Sequence, residues 1–226
     1  MIKPKKLLVV GLGEFARVIA AHIEEQSSYT LSAFVANLEY KQVKFYNKPV
    51  VSIDKVVALY PPKKHVAFVA ISYQQLNQAR TATCKQMKDL GYKLVSIIGR
   101  NIYISPEASY GENCLIAELS TIEPFVRIGN NVFLTGANYV GHGTIIRDNC
   151  FIAAHTCILG KCDIGENCFI GANATIAGNI KIAKNNFVGM GATVSRNTIE
   201  NKIYVGNPAK ESLVSAKRLC SIQNML

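Results

Sequence analysis

An aliphatic side chain recurs at every sixth position through most of the second half of the chain. Of the sixteen positions reached in steps of six from Ile104 to Val194, fifteen are Ile, Leu or Val, and the other is Tyr110. A frame that never slips over this length predicts a solenoid built from hexapeptide units. Four residues after many of these positions stands a small side chain: Ala108, Cys114, Ser120, Cys150, Thr156, Cys162, Cys168 and Ala174.

A second period of eighteen residues lies on top of the first. It is carried by Asn113, Asn131, Asn149, Asn167 and Asn185, and by Phe133, Phe151, Phe169 and Phe187. Eighteen residues are three hexapeptides, so one coil is predicted to have three short strands and three corners. Asn tolerates the left-handed backbone conformation of a tight corner. The aliphatic side chains fill the axis, where burying each is worth roughly 1.5–3 kcal/mol, and four of the seven Cys are core residues there.

The charge is unevenly distributed along the 226 residues. There are 25 Lys and Arg against 15 Asp and Glu, a net charge of +10. Residues 1–100 carry +9 of it and residues 101–226 carry +1, which predicts two domains with a boundary near residue 100. Nucleic acid, an anionic membrane surface and phosphorylated small molecules are all possible partners of a basic half. The lysines are scattered and form no aromatic-rich basic stripe, which disfavours nucleic acid.

The expected cellular compartment is inferred from three sequence features that are absent. No apolar run reaches the roughly 18 residues that span a bilayer, and no cleavage site follows the N-terminus. Seven Cys without a CxxC pair argue against a disulfide framework or a zinc knuckle. We therefore expect a cytoplasmic protein without a membrane span.

The N-terminal half alternates apolar runs with helical patterns. Strands are predicted at 6–10, 32–35, 65–71 and 95–98, with helices from the glycine turn through Glu25 and at 74–90. This order predicts an α/β domain with a parallel, Rossmann-like sheet. The first strand meets a GxGxxA turn, Gly11 to Ala16, which suits a phosphate approaching a helix N-terminus. Asn37 and Glu39 stand about where a dinucleotide fold places a ribose-binding residue.

The hexapeptide array resembles the left-handed parallel β-helix of hexapeptide acyltransferases, which are usually trimers. With the first half, the chain resembles bacterial sialic-acid O-acetyltransferases and UDP-amino-sugar N-acetyltransferases over nearly its whole length. The more specific pieces are Val69-Ala70-Ile71-Ser72-Tyr73 with Asn77 and Arg80, Asn138-Tyr139-Val140-Gly141-His142, Cys150-Phe151-Ile152-Ala153-Ala154-His155, and the exit segment Val205-Gly206-Asn207-Pro208-Ala209-Lys210. Residues 211–226 read as a short C-terminal helix.

The resemblance implies acetyl-CoA-dependent acetylation of a nucleotide-linked sugar for surface-glycan precursors, with no metal. It places the nucleotide-sugar on the N-terminal domain and acetyl-CoA on the β-helix of a homotrimer. The nucleotide-sugar residues it implies are Gly11, Gly13, Glu14, Phe15, Asn37, Tyr73 and Asn77. Many relatives have Gly-His at the positions of Glu14 and Phe15, so the contacts of this turn differ here.

His142 is the candidate general base. The repeat places it at a corner, pointing outward between Gly141 and Gly143. In the family chemistry a neutral imidazole takes a proton from the acceptor as it attacks the thioester, without an acyl-enzyme. Gly160, eighteen residues on, is the candidate oxyanion donor through its N–H. In many relatives an acidic residue directly follows the base; Gly143 stands there instead, and the sequence identifies no replacement.

His155 is predicted at a different corner, in a column of short side chains that suits the pantetheine arm of acyl-CoA between subunits. The acyl-CoA residues implied are His155, Ala154, Ala172, Met190 and, from the exit segment, Lys210. Small residues that merely permit close subunit packing are an equal interpretation of this column.

Two other interpretations compete with an acetyltransferase. Zinc-dependent carbonic anhydrases share the β-helix but need three His ligands, and this repeat region holds only His142 and His155. A non-catalytic nucleotide-sugar-binding or scaffold module would keep the same two-domain shape. An amine or a hydroxyl acceptor, and CoA or a carrier protein as donor, both remain open.

Overall fold

The structure is a computed structural model that describes residues 4–26, 29–37 and 44–222. The chain divides into two compact units. Unit 1 comprises residues 1–72 and 82–95, and unit 2 comprises residues 73–81 and 96–226. The sequence placed the boundary after residue 100; in the structure the β-helix unit starts earlier and also includes the separate segment 73–81.

Unit 1 contains a five-stranded sheet with the strand order β3-β4-β2-β1-β5. The strands β4, β2, β1 and β5 are parallel, and the short β3 pairs antiparallel with β4. Its strands and helices are β1 (Lys5–Val10), α1 (Glu14–Gln26), β2 (Tyr29–Ala36), β3 (Lys44–Phe45), β4 (Lys48–Ser52), α2 (Val56–Leu59) and β5 (His65–Val69), followed by α3 (Gln78–Asp89), whose first turn belongs to unit 2.

The central strands of this sheet are buried on both faces. In β1, the residues Leu7, Leu8, Val9 and Val10 are all at most 3% exposed, which is typical of a parallel strand between two layers. The helix α1 turns Ala16, Ile19, Ala20 and Ile23 to the core at helical spacing. The predicted alternation of strands and helices is present, and an apolar core lies between the sheet and α1. The sequence did not predict β3, β4 or α2.

Unit 2 is the solenoid that the repeat predicts. Three sheets form the sides of the coil. Their strands are parallel, two residues long and paired with partners eighteen residues apart, except for the longer β23 and the antiparallel β24 at the end of the first sheet. The first sheet contains β6 (Ile97–Ile98), β9 (Leu115–Ile116), β12 (Phe133–Leu134), β15 (Phe151–Ile152), β18 (Phe169–Ile170), β21 (Phe187–Val188), β23 (Lys202–Val205) and β24 (Lys210–Ser215). The second contains β7 (Tyr103–Ile104), β10 (Thr121–Ile122), β13 (Tyr139–Val140), β16 (Cys157–Ile158), β19 (Thr175–Ile176) and β22 (Thr193–Val194). The third contains β8 (Ser109–Tyr110), β11 (Arg127–Ile128), β14 (Ile145–Ile146), β17 (Asp163–Ile164) and β20 (Lys181–Ile182).

The axis of the solenoid is filled as the repeat predicts. One continuous cluster joins the aliphatic positions from Ile116 to Val194 with Cys114, Cys150, Cys162 and Cys168. Burial raises the pKa of the Cys114 thiol to about 11 and that of Cys150 well above its ordinary value, so these thiols are poor nucleophiles. The Cys residues therefore pack as small apolar side chains.

The corner between the third and first sheets carries Asn in every coil. Asn113, Asn131, Asn149, Asn167 and Asn185 all have φ between 51° and 64°, the left-handed conformation expected of them. Their side chains hydrogen-bond up the stack, for example from Asn131 Nδ2 to Asn149 Oδ1 at 2.9 Å. We call this column the asparagine corner.

The outer side of the first sheet carries the stacked Phe residues. The rings of Phe151 and Phe169 lie 5.7 Å apart and nearly parallel, and those of Phe169 and Phe187 lie 4.5 Å apart. Residues 73–81, which we call the strap, cover this stack: the Tyr73 ring lies 4.6 Å from that of Phe169. The strap therefore shields the rings of Phe151 and Phe169, on the outer side of the sheet, from water.

Arg80 anchors the strap with no exposed surface at all. Its guanidinium lies 4.1 Å from the centre of the Phe133 ring, within cation–π range. It donates hydrogen bonds to Asn131 Oδ1 at 2.8 Å and to the carbonyls of Asn131 and Cys150 at 3.2 Å. The asparagine corner thus supplies the acceptors that a buried cation requires.

Two sequence-based element assignments need correction. Of the strand predicted at 95–98, residues 97–98 form β6, which pairs with β9 of the solenoid, whereas the Val95 N–H donates to the Ala67 carbonyl of β5 at 3.0 Å. The C-terminal helix predicted from residue 211 begins later, as α4 (Ala216–Ile222). Residues 210–215 instead pair antiparallel with β23 as a hairpin, supported by a 2.8 Å contact between Lys202 Nζ and Glu211 Oε1.

Candidate active site

His142 stands at the corner between the second and third sheets, which we call the histidine corner. It stands two residues after the end of β13, and its side chain is 57% exposed. Gly143, with φ of +66°, makes the turn, and its N–H donates to the Pro124 carbonyl one coil before at 3.0 Å. The His142 carbonyl accepts from the Lys161 N–H one coil later at 2.8 Å. The backbone is therefore fixed from both sides while the imidazole faces outward.

The imidazole of His142 lies directly against Gly160. A Cβ atom built at Gly160 would stand 2.6 Å from Cε1, 2.8 Å from Nε2 and 3.0 Å from Nδ1 of His142, closer than real Cβ atoms approach. Among the described residues none accepts a hydrogen bond from the Gly160 N–H. The structure thus brings together the two residues that the eighteen-residue period pairs, and it gives Gly160 a steric reason to lack a side chain.

Glu123 is the acidic neighbour that sequence reasoning missed. Its Oε2 lies 3.9 Å from Nδ1 of His142, and its side chain is 31% exposed. It precedes His142 by nineteen residues, so it occupies the adjacent coil at the same corner. The eighteen-residue period indicates this neighbour, because one coil before Gly141 stands Glu123, whereas the residue directly after the histidine is Gly143.

Tyr139 is the second polar neighbour of Glu123. Burial raises the pKa of Tyr139 above its ordinary value, and the negative charge of the nearby Glu123 carboxylate raises it further. Tyr139 pairs in the second sheet with Thr121, and Thr121 is two residues before Glu123 in the chain. Three polar side chains from two consecutive coils therefore meet at the histidine corner.

The predicted acyl-CoA residues lie mostly at the corner between the first and second sheets. Ala154, Ala172 and Met190 are stacked there, joined by backbone bonds such as Asn173 N–H to the Ala154 carbonyl at 3.1 Å. His155 is exposed and takes the left-handed position with φ of 59°, and Met190 is 82% exposed. The structure separates this corner from His142 within one chain.

Lys210 lies apart from that column. It is exposed at the start of β24, next to Ala209, whose N–H donates to the Thr193 carbonyl at 2.8 Å. The hairpin therefore places Lys210 beyond the last coil, near the end of the second sheet, rather than along the column of Ala154 and Ala172.

The glycine turn of unit 1 has the geometry of a strand-to-helix turn. Gly11 has φ of +123°, and its N–H donates to the Val35 carbonyl at 2.9 Å. Gly13 is open, with nothing within 4 Å of a Cβ built there. Glu14 and Phe15 begin α1, so the first helical turn carries a carboxylate that opposes a phosphate, although Arg17 lies 3.7 Å from it.

Asn37 is exposed just after β2. Because β1 and β2 are parallel, Asn37 and the glycine turn follow strand ends at the same edge of the sheet. Glu39, the other residue considered for ribose binding, lies outside the described residues.

Tyr73 and Asn77, predicted to bind the nucleotide-sugar, belong to the strap. Tyr73 packs on Phe151 and Phe169, and Asn77 donates from Nδ2 to the Cys168 carbonyl at 3.3 Å. Asn77 has no exposed surface, so it cannot touch a ligand in this structure, and we correct its predicted role to a structural one. Tyr73 keeps partial exposure.

The described residues contain neither a metal-binding cluster nor a membrane-spanning helix. No group of three His, Cys, Asp or Glu side chains in residues 4–26, 29–37 and 44–222 is arranged to hold a metal ion. In the same parts of the chain, no helix combines the length and hydropathy needed to cross a bilayer.

The repeat region matches two sequence families. Residues 125–158 match a family described as the hexapeptide repeat of succinyl-transferase, and residues 161–196 match the bacterial transferase hexapeptide family of six repeats. These two stretches of the solenoid are therefore similar to hexapeptide repeats of bacterial transferases. A comparison with curated protein sequences found no match.

Solved structures share the fold over nearly the whole chain. The acetyltransferase domain of PglB from Neisseria gonorrhoeae, in complex with acetyl coenzyme A, is 22% identical over 92% of this chain and 100% of that one, with a TM-score of 0.82. A His-to-Asn variant of perosamine N-acetyltransferase from Caulobacter crescentus, with CoA and GDP-perosamine, is 22% identical over 94% and 98%, with a TM-score of 0.83. WeeI from Acinetobacter baumannii is 23% identical over 92% and 100%, with a TM-score of 0.82.

Proposed function

We propose that this protein transfers an acetyl group from acetyl-CoA to an amine of a nucleotide-linked sugar. The observation that carries the proposal is the histidine corner: an exposed imidazole seated on a glycine, with a carboxylate beside it, on a hexapeptide β-helix. Structures of the same fold are named as acetyltransferases and hold acetyl-CoA, or CoA with GDP-perosamine. The amine is favoured over a hydroxyl because one of these is named as an N-acetyltransferase.

His142 acts as the general base in this proposal. As the amine nitrogen forms its bond to the thioester carbonyl carbon, the neutral imidazole takes one proton from it. The carbonyl oxygen becomes an oxyanion, and the Gly160 N–H is placed to donate a hydrogen bond to it. When the carbon–sulfur bond breaks, the imidazolium returns its proton to the CoA thiolate, which leaves as the free thiol. No covalent enzyme intermediate and no metal takes part.

The acetyl-CoA site is proposed between subunits of a homotrimer. The His142 and His155 corners are separate within one chain, so only a neighbouring copy can bring a second corner to His142. Ala154 and Ala172 leave room beside His155 for the pantetheine arm, with Met190 further along the column. Lys210, exposed on its hairpin, is a candidate for the phosphates of CoA.

A test of this groove is Ala172→Trp. We expect the variant to lose at least about tenfold in acetyl-CoA affinity, measured by calorimetry, because an indole would fill the groove. Its mass by light scattering should equal that of the wild type. Unchanged acetyl-CoA affinity in an intact oligomer would remove the groove assignment.

Unit 1 is proposed to bind the nucleotide-sugar as a Rossmann-like domain, and the solenoid is proposed to be left-handed, as in the acyltransferases that it resembles. The glycine turn of Gly11, Gly13, Glu14 and Phe15, with Asn37 at the same sheet edge, is the proposed site, with Tyr73 as a further contact. The +9 charge of residues 1–100 favours an anionic ligand. We place the reaction in the cytoplasm, in the synthesis of surface-glycan precursors.

The deciding experiment is a thiol-release assay with acetyl-CoA and a panel of UDP-, GDP- and dTDP-linked amino sugars. We expect one sugar to release CoA in the wild type and His142→Ala to lose at least about 100-fold in kcat. Full activity of His142→Ala would end the assignment of His142 as base. Binding of a nucleotide-sugar without thiol release from any of them would favour a non-catalytic module.

A further inference from the structure

We propose that Glu123 is the positioning residue for His142, supplied by the preceding coil rather than by the next residue along the chain. The inference rests on the proposed function, because it concerns how the base of that reaction is held. It assigns to Glu123 the orientation of the imidazole and to Tyr139 the orientation of Glu123.

The contact between the two side chains is specific to one ring nitrogen. Glu123 Oε2 faces Nδ1 of His142 at 3.9 Å, an ion-pair distance that is longer than a hydrogen bond. Catalytic hydrogen bonds are often long without substrate and shorten in the complex. The ring lies against Gly160, where a Cβ atom would stand 2.6–3.0 Å from its atoms, so the absence of a side chain there lets the ring occupy this position beside Glu123.

Glu123 is itself held in place. Its backbone N–H donates to the Val140 carbonyl at 3.0 Å, which ties it to the coil that carries His142. Its carboxylate is close enough to Tyr139, a residue of the same coil as His142, for its charge to raise the pKa of the phenol. The carboxylate therefore lies near two side chains, Tyr139 and His142, that are three residues apart in the chain.

The chemical consequence is a choice of tautomer. An ionised carboxylate can only accept hydrogen bonds, so beside Nδ1 it favours the imidazole that carries its proton on Nδ1. Nε2 then keeps its lone pair for the proton of the attacking amine, and the imidazolium formed in the reaction is stabilised by the nearby negative charge. This is the part that an acid directly after the histidine would play, and Gly143 cannot play it.

The first test reads the tautomer without substrate. In uniformly ¹⁵N-labelled wild type at roughly pH 9, where imidazoles are neutral, we expect His142 Nε2 to resonate as an unprotonated nitrogen and Nδ1 as a protonated one. Glu123→Ala should move both resonances toward averaged values, and Tyr139→Phe should move them less. Glu166→Ala, which removes an exposed carboxylate from a different corner, should leave them unchanged. Identical His142 resonances in wild type and Glu123→Ala would overturn the proposal.

The second test measures turnover. We expect Glu123→Ala to lower kcat by about tenfold with KM little changed, Glu123→Gln to lose less because its amide oxygen still accepts, and His142→Ala to lose more. Gly143→Asp in the Glu123→Ala background should recover part of the loss, since Asp tolerates the left-handed conformation of residue 143. An unaltered kcat in Glu123→Ala would overturn the positioning role in the reaction.

The two tests separate the two proposals. A tautomer that depends on Glu123, in a protein whose His142→Ala variant is fully active, would leave the contact standing and remove the general-base assignment. A tautomer that ignores Glu123, in a protein whose His142→Ala variant is inactive, would remove Glu123 and leave the general base standing.

Discussion

Replacing Gly160 by Ala tests whether the position of the His142 ring matters. The added methyl group would lie 2.6–3.0 Å from three ring atoms of His142, and real Cβ atoms are essentially never found below 3.0 Å. The methyl is fixed to the backbone and cannot move away, because the Gly160 carbonyl accepts from the Asn179 N–H at 3.0 Å in the next coil. The ring must therefore rotate or shift by several tenths of an ångström or more.

The shift should affect folding stability and kcat very differently. The His142 side chain is 57% exposed, so it can swing into solvent at a cost to folding of about 0–1 kcal/mol. A displacement of about 1 Å in a reacting group, however, can lower the rate by about 100-fold, equivalent to about 2.7 kcal/mol in the activation barrier. We expect Gly160→Ala to lower kcat by about that factor with almost no change in thermal stability.

Gly160 has two proposed roles: its N–H binds the oxyanion, and its missing side chain leaves room for the His142 ring. Gly160→Ala separates them, because alanine keeps the N–H and fills the space. The assay is CoA release at saturating substrate, alongside thermal unfolding. The matched control is Gly178→Ala, one coil further in the same column, where the nearest atoms to a new Cβ lie at 3.4 Å and 3.8 Å.

Gly178→Ala should be fully active. The double variant His142→Ala with Gly160→Ala should be no slower than His142→Ala alone, because both changes remove the same base. Wild-type kcat in a folded Gly160→Ala protein would refute the reasoning.

Two further predictions concern stability. Asn131→Ala should lower the free energy of unfolding, measured in urea, by about 3 kcal/mol, because it removes an acceptor of the buried Arg80 guanidinium. Asn185→Ala is the control: Asn185 has the same left-handed backbone but accepts no hydrogen bond from a buried guanidinium, so this variant should lose much less stability. Burial raises the pKa of the Cys114 thiol to about 11 in the folded protein, so the unfolded chain loses this proton at a lower pH. The free energy of unfolding should therefore fall by about 2–3 kcal/mol as the pH rises from about 9 to 11. A Cys114→Ala variant whose pH dependence in this window equals that of the wild type would contradict it.

Much of unit 2 could be predicted from the sequence because a solenoid is built from local repeats. Each coil contacts its neighbours eighteen residues away, so the period of Ile146, Ile164 and Ile182 predicts both strand pairing and core. The same arithmetic pairs His142 with Gly160. The same arithmetic also leads to Glu123, one coil before Gly141, whereas the residue directly after His142 is Gly143.

The strap could not be predicted in this way. Residues 74–90 were predicted as a single helix of the α/β domain, whereas residues 73–81 pack on the solenoid and α3 begins only at Gln78. The reason is that Arg80 and Asn77 find their partners, Asn131 and Cys168, 51 and 91 residues away. No local pattern records such contacts, and both residues were therefore interpreted through a family motif.

The solenoid, its three-sided coil, its apolar axis and the outward position of His142 can be predicted from the sequence, because each follows from a period that can be counted. The surroundings of the imidazole are visible only in the folded chain, where Gly160 lies against the ring and the Glu123 carboxylate lies beside Nδ1. The structure also shows that Asn77, within the strap, is buried against the solenoid. The period determines which coil a residue belongs to, whereas the direction and contacts of a side chain depend on packing between coils.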